Sequence, residues 1–138
     1  MRSGPKRGQP LLEADGAADV VSFVVPEADG AAFRVSDDWE IARRHLYEDV
    51  PEAIAKEAYQ RLMLSSTLAG LTPNSAPERR HPTTYVVLER DLAVLTAAQE
   101  RLATKADRVE RLDTSHSPML ADPDGLAAVL ARVPVPGG

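Results

Sequence analysis

The chain has 138 residues, a formal net charge of −5 and no cysteine, and its hydrophobic fraction of 43% is that of an ordinary globular domain. The negative charge argues against general nucleic-acid binding, and the lack of cysteine excludes disulfides and thiolate chemistry. No apolar run approaches the roughly 20 residues of a membrane span, and the N-terminal segment lacks the apolar core of a secretory signal. We therefore expect a cytoplasmic location and no membrane partner.

The first quarter of the chain predicts a flexible lead-in followed by a strand. Residues 1–17 carry glycine, proline and charge without hydrophobic periodicity, which is typical of an unstructured segment. The next eight residues, ADVVSFVV at 18–25, form a nearly continuous apolar run that ends at Pro26. Such a run predicts a strand covered on both faces, as in a parallel sheet, and the PEADG sequence after it predicts a turn.

Two amphipathic helices are predicted next. Asp37 is expected to cap a helix that reaches Tyr47, because Glu40 follows it at the spacing of a capping box. Pro51 suits the first position of a second helix, which is expected to run to about Leu64 with Ile54, Ala58 and Leu62 on one face. Both helices lie between predicted strands, so we interpret residues of about 37–70 as a small helical cap.

The second half predicts a parallel βαβ unit and a final helix. TTYVVLE ends just before Asp91, LTAAQERLATKA predicts a helix, and RVERL ends just before the loop that holds His116. Asp122 and Pro123 then predict the start of the last helix. Because a parallel βαβ unit brings the ends of both strands to one edge of a sheet, Asp91 and His116 are expected at that edge.

An acid followed in the chain by a histidine is the order of the last two members of a Ser-His-acid triad. A histidine that acts as a base needs a carboxylate to fix its tautomer, and neighbouring strands about 4.8 Å apart place Asp91 within reach of His116. Glu89 is a competing acid, ranked lower because it lies within the strand. On spacing alone, a surface histidine and a turn aspartate without mutual contact remain an alternative.

The other polar candidates predict local roles. Asp113 is expected to cap the loop, and Ser115 and Ser117 to make hydrogen bonds within it, because sequence neighbours of His116 are poorly placed for proton transfer. His45 and His81 have no obvious partner in the sequence. The spacing of the three histidines gives no metal site, and no glycine motif for a nucleotide is present, so we expect no metal and no cofactor.

These segments resemble the C-terminal portion of the α/β-hydrolase superfamily. TYVVLERDLAVLTAAQERLA and VERLDTSHSPMLADPDGLAAVLARV are similar to the group of methylesterases and hydroxynitrile lyases, with Asp91, Gln99 and His116 at its characteristic positions. DVVSFVVPEADG resembles the strand after the nucleophile elbow, and DDWEIARRHLYEDVPEAIAKEAYQRL the cap helices. The resemblance implies an incomplete α/β-hydrolase sheet of about three parallel strands over residues 18–138, small ester substrates, and Asp91 and His116 as catalytic acid and base.

The 138 residues lack the sequence motifs that form the reactive centre in that family. No G-x-S-x-G sequence occurs in the 138 residues, and neither does a glycine-rich oxyanion loop. We therefore expect part of an esterase-like hydrolase that is inactive alone. Two alternatives stay open: a non-catalytic interaction module or homo-oligomer that uses an exposed sheet edge, and a nucleophile supplied by another chain.

Overall fold

The computed structural model describes residue 20 and residues 22–73, 77 and 81–134, so the predicted lead-in at 1–17 lies outside the described residues. From residue 22 to residue 134, the described part of the chain has five strands and six helices in chain order. They are β1 (Val24–Glu27), β2 (Ala32–Val35), α1 (Trp39–Leu46), α2 (Glu52–Gln60), β3 (Ser65–Ser66), α3 (Thr67–Leu71), β4 (Thr84–Leu88), α4 (Thr96–Ala103), β5 (Arg108–Leu112), α5 (Pro118–Ala121) and α6 (Pro123–Ala131). A single turn of 3-10 helix, Ala28–Gly30, joins the first two strands.

The first three strands form an antiparallel sheet in the order β1-β2-β3. Val24 pairs with Val35 and Glu27 with Ala32, so the PEADG turn closes a hairpin, with Gly30 in the left-handed region at a φ of 89°. Residues 18, 19 and 21 of the strand predicted at 18–25 lie outside the described residues. In the described part, the strand begins only at Val24 and pairs antiparallel, so the predicted bounds and parallel pairing are wrong. An apolar run alone does not distinguish a core strand of a parallel sheet from a strand of an antiparallel hairpin.

Helices α1 and α2 follow, and both are shorter than predicted. The N-cap of α1 is Asp38, whose carboxylate accepts from the backbone N–H groups of Glu40 and Ile41, while Asp37 instead pairs with Arg34. The predicted apolar face of α2 is also wrong, because Ile54 is 45% exposed and Ala55 is the fully buried residue. We use the name cap for residues 22–71, the antiparallel sheet with α1, α2 and α3; that this part of the chain acts as the helical cap predicted at about 37–70 stays a prediction.

The βαβ unit is confirmed. Strands β4 and β5 pair in parallel along their whole length, from Thr84 with Arg108 to Leu88 with Leu112, and α4 packs against β4. The last helix, α6, begins at Pro123 with Asp122 as its cap, as predicted. The fold class is that of an incomplete α/β-hydrolase, although the described residues contain two parallel strands and a separate antiparallel sheet where three parallel strands were predicted.

The main buried cluster joins the cap to the βαβ unit. Five of its members come from the cap and one, Ala93, from the turn after β4; the five are Phe23, Leu46, Tyr47, Val50 and Ala55. Leu120 and Ala121 of α5 pack against the same cluster from the segment that follows His116. The residues after the predicted acid and after the predicted base are therefore both packed against the cap.

Candidate active site

Asp91 is the third residue after the end of β4, in a turn that the backbone and one side chain hold in place. Its Oδ1 accepts from the N–H groups of Ala93 (2.8 Å) and Val94 (3.0 Å), so one carboxylate oxygen is fully engaged by the turn. Gln99 of α4 fastens the same turn, because its side-chain amide accepts from the Leu88 N–H (2.9 Å) and donates to the carbonyls of Leu88 (3.0 Å) and Val94 (2.8 Å). The second carboxylate oxygen remains for another partner.

His116 is that partner. Its Nδ1 lies 3.0 Å from Asp91 Oδ2, in the loop between β5 and α5. The Asp91 side chain is only 3% exposed, whereas that of His116 is 38% exposed. A carboxylate can only accept, so Nδ1 carries the proton and Nε2 of the neutral ring is left as an acceptor. The structure thus brings together the two residues that the sequence singled out.

Burial and the negative charge of Asp91 both affect the pKa of a neighbouring tyrosine, Tyr85. Burial raises the pKa of Tyr85 on β4, and the negative charge of Asp91 raises it further. A buried carboxylate with two backbone donors and one imidazole donor is a fixed negative charge next to the ring. Such a charge favours the Nδ1–H tautomer of the neutral ring.

The competing acid does not face the histidine. Glu89 is exposed, and its carboxylate lies 3.7 Å from Arg111 Nη1. Asp113, expected to cap the loop, pairs with Arg90 Nε at 2.8 Å.

The other two histidines lie elsewhere. His45, for which the sequence suggested no partner, donates through Nδ1 to the Ile41 carbonyl (2.8 Å), lies 3.3 Å from Ser22 Oγ and stacks on Phe23. His81 is exposed.

Two charged residues beside the site were not predicted. Asp49, in the cap turn before α2, accepts from the backbone N–H of Ser115 (2.7 Å) and from the Ser115 hydroxyl. Arg90, next to Asp91, reaches the same Asp49 carboxylate at 3.2 Å and the Asp113 carbonyl at 2.7 Å. Asp49 and Ser115 are 66 residues apart, so no local spacing pattern relates them.

No group of three metal-binding side chains occurs within residues 22–73 and 81–134. Across the same part of the chain, no helix is long and apolar enough to cross a membrane.

The sequence model of the alpha/beta hydrolase family matches residues 4–129, which is most of the chain. The protein therefore belongs to the alpha/beta hydrolase family, and the resemblance noted in its sequence is confirmed. A search of curated proteins gives no significant match.

Solved structures of esterase-like hydrolases share the fold. A pyrethroid hydrolase from Sphingobium faniae JZ-2 is 18% identical with a TM-score of 0.69, and the match covers 94% of this chain and 55% of that one. A methylesterase from Arabidopsis is 19% identical with a TM-score of 0.67, over 74% of this chain and 45% of the other. A mutant of polyneuridine aldehyde esterase is 11% identical with a TM-score of 0.71, over 92% and 57%. The chain spans about half the length of these proteins.

Proposed function

We propose that this chain provides the acid and the base of an ester-type hydrolase. The observation that carries the proposal is the buried Asp91 carboxylate 3.0 Å from Nδ1 of the half-exposed His116. Asp91 fixes the tautomer, and His116 Nε2 accepts the proton of an attacking hydroxyl and returns it to the leaving alkoxide. The division into a cap and an α/β unit, with the cap shaping the pocket for a small ester, is part of the same proposal.

The nucleophile of this reaction is not supplied by a G-x-S-x-G turn within the 138 residues. We propose that a separate segment supplies it, together with the backbone N–H groups that stabilise the oxyanion. Without that segment, Asp91 and His116 can move a proton but have no hydroxyl placed to attack an acyl carbon. The chain alone is therefore expected to be inactive.

The test has two arms that use p-nitrophenyl acetate as substrate. For the chain alone, the expected rate equals that of the His116→Ala variant, and a burst of p-nitrophenol would contradict the need for an outside nucleophile. In the second arm, the DNA upstream of the Met1 codon is searched in every frame for G-x-S-x-G, and the encoded segment is produced with the chain. Hydrolysis is then expected, and His116→Ala should lower its kcat by several orders of magnitude, on the order of 10⁶-fold.

His81→Ala is the matched control, because His81 is an exposed histidine outside the pair. It should leave the rate of the combined protein unchanged. Equal losses in the two variants, or no hydrolysis when a G-x-S-x-G segment is present and folded, would refute the proposed roles of Asp91 and His116.

A non-catalytic interaction module is the second candidate. Within the described residues, β4 and β5 form a two-stranded parallel sheet, and no further strand pairs with either. Parallel strands are normally covered and paired on both sides, so an open edge is a surface for adding a strand from a partner or a second copy. Sedimentation of the chain separates the candidates: a stable dimer without esterase activity in either arm favours the module.

A further inference from the structure

A cap turn holds one carboxylate against the loop that carries His116. Asp49 lies in the turn closed by the Val50 N–H donating to the Tyr47 carbonyl at 3.1 Å. Tyr47 and Val50 are both buried in the main cluster, so the turn is anchored on either side of Asp49. Its side chain is 12% exposed and thus largely withdrawn from water.

Both oxygens of that carboxylate engage Ser115, the residue directly before His116. Oδ2 accepts from the Ser115 backbone N–H at 2.7 Å, and Oδ1 accepts from the Ser115 hydroxyl. Ser115 is 1% exposed, so these bonds are sheltered from competing water. Hydrogen bonds to a charged acceptor are stronger than neutral ones, and two of them at one residue fix both its position and its orientation.

Arg90 extends the same network to the acid. Its Nη2 lies 3.2 Å from Asp49 Oδ2, and its backbone N–H donates to the Thr114 carbonyl at 3.1 Å. Arg90 directly precedes Asp91, as Ser115 directly precedes His116. One cap carboxylate therefore contacts the neighbours of both members of the acid–base pair.

We propose that Asp49 is a positioning residue that holds the His116 loop so that His116 Nδ1 meets Asp91 Oδ2. This proposal rests on the proposed role of His116 as the base, but the positioning itself is a property of the chain without substrate. Asp49 contacts neither the His116 imidazole nor the proton that the imidazole transfers. It acts through the backbone of Ser115, whose displacement would carry the next residue, His116, away from the acid.

The test reads the imidazole directly by ¹⁵N NMR of the 138-residue chain, with the three histidines assigned from single His→Gln variants. In the unchanged chain, His116 should be predominantly the Nδ1–H tautomer, with a slowly exchanging Nδ1 proton. Asp49→Asn should shift the ring toward the mixed tautomers of a free histidine. It should also speed amide exchange of Ser115 roughly tenfold or more, because a charge-assisted hydrogen bond is lost.

Asp37→Asn is the matched control. This substitution also removes one negative charge from the cap, but the Asp37 carboxylate pairs with Arg34 on the protein surface. It should leave both the His116 tautomer and Ser115 exchange unaltered. Ser115→Ala removes only the hydroxyl bond, so it should move the tautomer in the same direction as Asp49→Asn, by a smaller amount; this variant decides the matter if Asp49→Asn does not fold.

Two results would overturn the proposal. The first is faster Ser115 exchange in Asp49→Asn with an unchanged His116 tautomer, which would make Asp49 a structural anchor only. The second is an equal tautomer shift in Asp37→Asn, which would indicate a general effect of net charge. Absence of esterase activity in the combined protein would refute the proposed function but not the positioning role of Asp49, because the tautomer is measured without substrate.

Discussion

At the scale of single residues, Asp91 combines two tasks in one side chain. Oδ1 caps the turn by accepting hydrogen bonds from two backbone N–H groups, and Oδ2 faces His116. Because the turn occupies Oδ1 completely, the carboxylate cannot rotate to offer it to the imidazole without breaking both backbone bonds. The orientation of the acid is thus set by its own turn before the histidine is considered.

Asp91→Asn should separate these two tasks. The amide oxygen can still accept from the turn, but the amide nitrogen then faces His116 Nδ1 and cannot accept its proton, so the Nδ1–H tautomer should be lost. We expect the free energy of unfolding to fall by about 2 kcal/mol, because a sheltered charge-assisted hydrogen bond disappears. Imidazole ¹⁵N NMR and urea unfolding measure the two effects.

Asp113→Asn is the control for this substitution. Asp113 lies on the same loop, but its carboxylate is exposed and pairs with Arg90. Its loss should change the free energy of unfolding by less than about 1 kcal/mol and leave the tautomer as it was. An unchanged imidazole spectrum in Asp91→Asn would show that the two side chains do not pair in solution.

At the scale of elements, α4 holds β4 and the acid's turn together through one buried amide. Gln99 is 2% exposed and uses its oxygen and its nitrogen to bind three backbone groups, the Leu88 N–H and the carbonyls of Leu88 and Val94. The helix is otherwise packed through small residues, Ala98 and Ala103. The position of α4 against β4 and the Asp91 turn therefore depends largely on these hydrogen bonds, because small alanine side chains make few specific packing contacts.

Gln99→Leu should be strongly destabilising. The change keeps similar volume but removes the side-chain partner of the Leu88 N–H and of the Leu88 and Val94 carbonyls, of which the Leu88 carbonyl still accepts from the Asp91 N–H at 3.3 Å. We expect a loss of roughly 3 kcal/mol in the free energy of unfolding. Gln60→Leu, at an exposed position of α2, is the matched control and should stay within about 0.5 kcal/mol. Urea unfolding of both variants measures these losses. Equal losses would show that Gln99 does not hold β4 and the Asp91 turn together.

At the scale of the whole molecule, acidic surface residues pair with basic ones across separate elements. Hydrogen bonds from Arg111 and Arg132 lower the pKa values of Glu100 and Glu110, respectively, below their ordinary value of 4.5. Arg132 follows α6 while Glu110 is on β5, so this pair ties the final helix to the sheet. The side chains of Arg111, Glu100 and Arg132 are about half exposed and that of Glu110 is 18% exposed, so water reaches both pairs and limits the contribution of each.

These shifts fix the direction of the pH dependence. A carboxyl whose pKa is lower in the folded state stabilises that state above pH 4.5, and the contribution is lost as the pH falls through the folded pKa. The urea midpoint should therefore decline below about pH 4.5, and Glu110→Gln should reduce the decline. Glu48→Gln, on the exposed cap turn, is the control. A decline that is unaffected by Glu110→Gln, or by added salt, would contradict the assignment.

The sequence was sufficient for the parts of the fold that follow from local pattern. Strands β4 and β5, the start of α6 at Asp122, and the meeting of Asp91 with His116 all depend on short apolar runs, caps and the geometry of one crossover. The hairpin of β1 and β2 was missed, because an apolar run has the same appearance in either kind of sheet. The contact between Asp49 and Ser115 depends on how the cap docks, and tertiary packing of that kind leaves no trace in spacing.

The contact between Asp49 and Ser115 has a consequence for protein engineering. If residues 22–71 act as the proposed cap, transplanting them from a relative would be a way to alter the ester specificity proposed above. A donor without a carboxylate at the Asp49 position would leave the buried Ser115 without its Asp49 acceptor, and the loop that carries His116 would lose that support. Grafts in this scaffold must therefore carry the acidic turn with them, or be accompanied by a redesigned Ser115 loop.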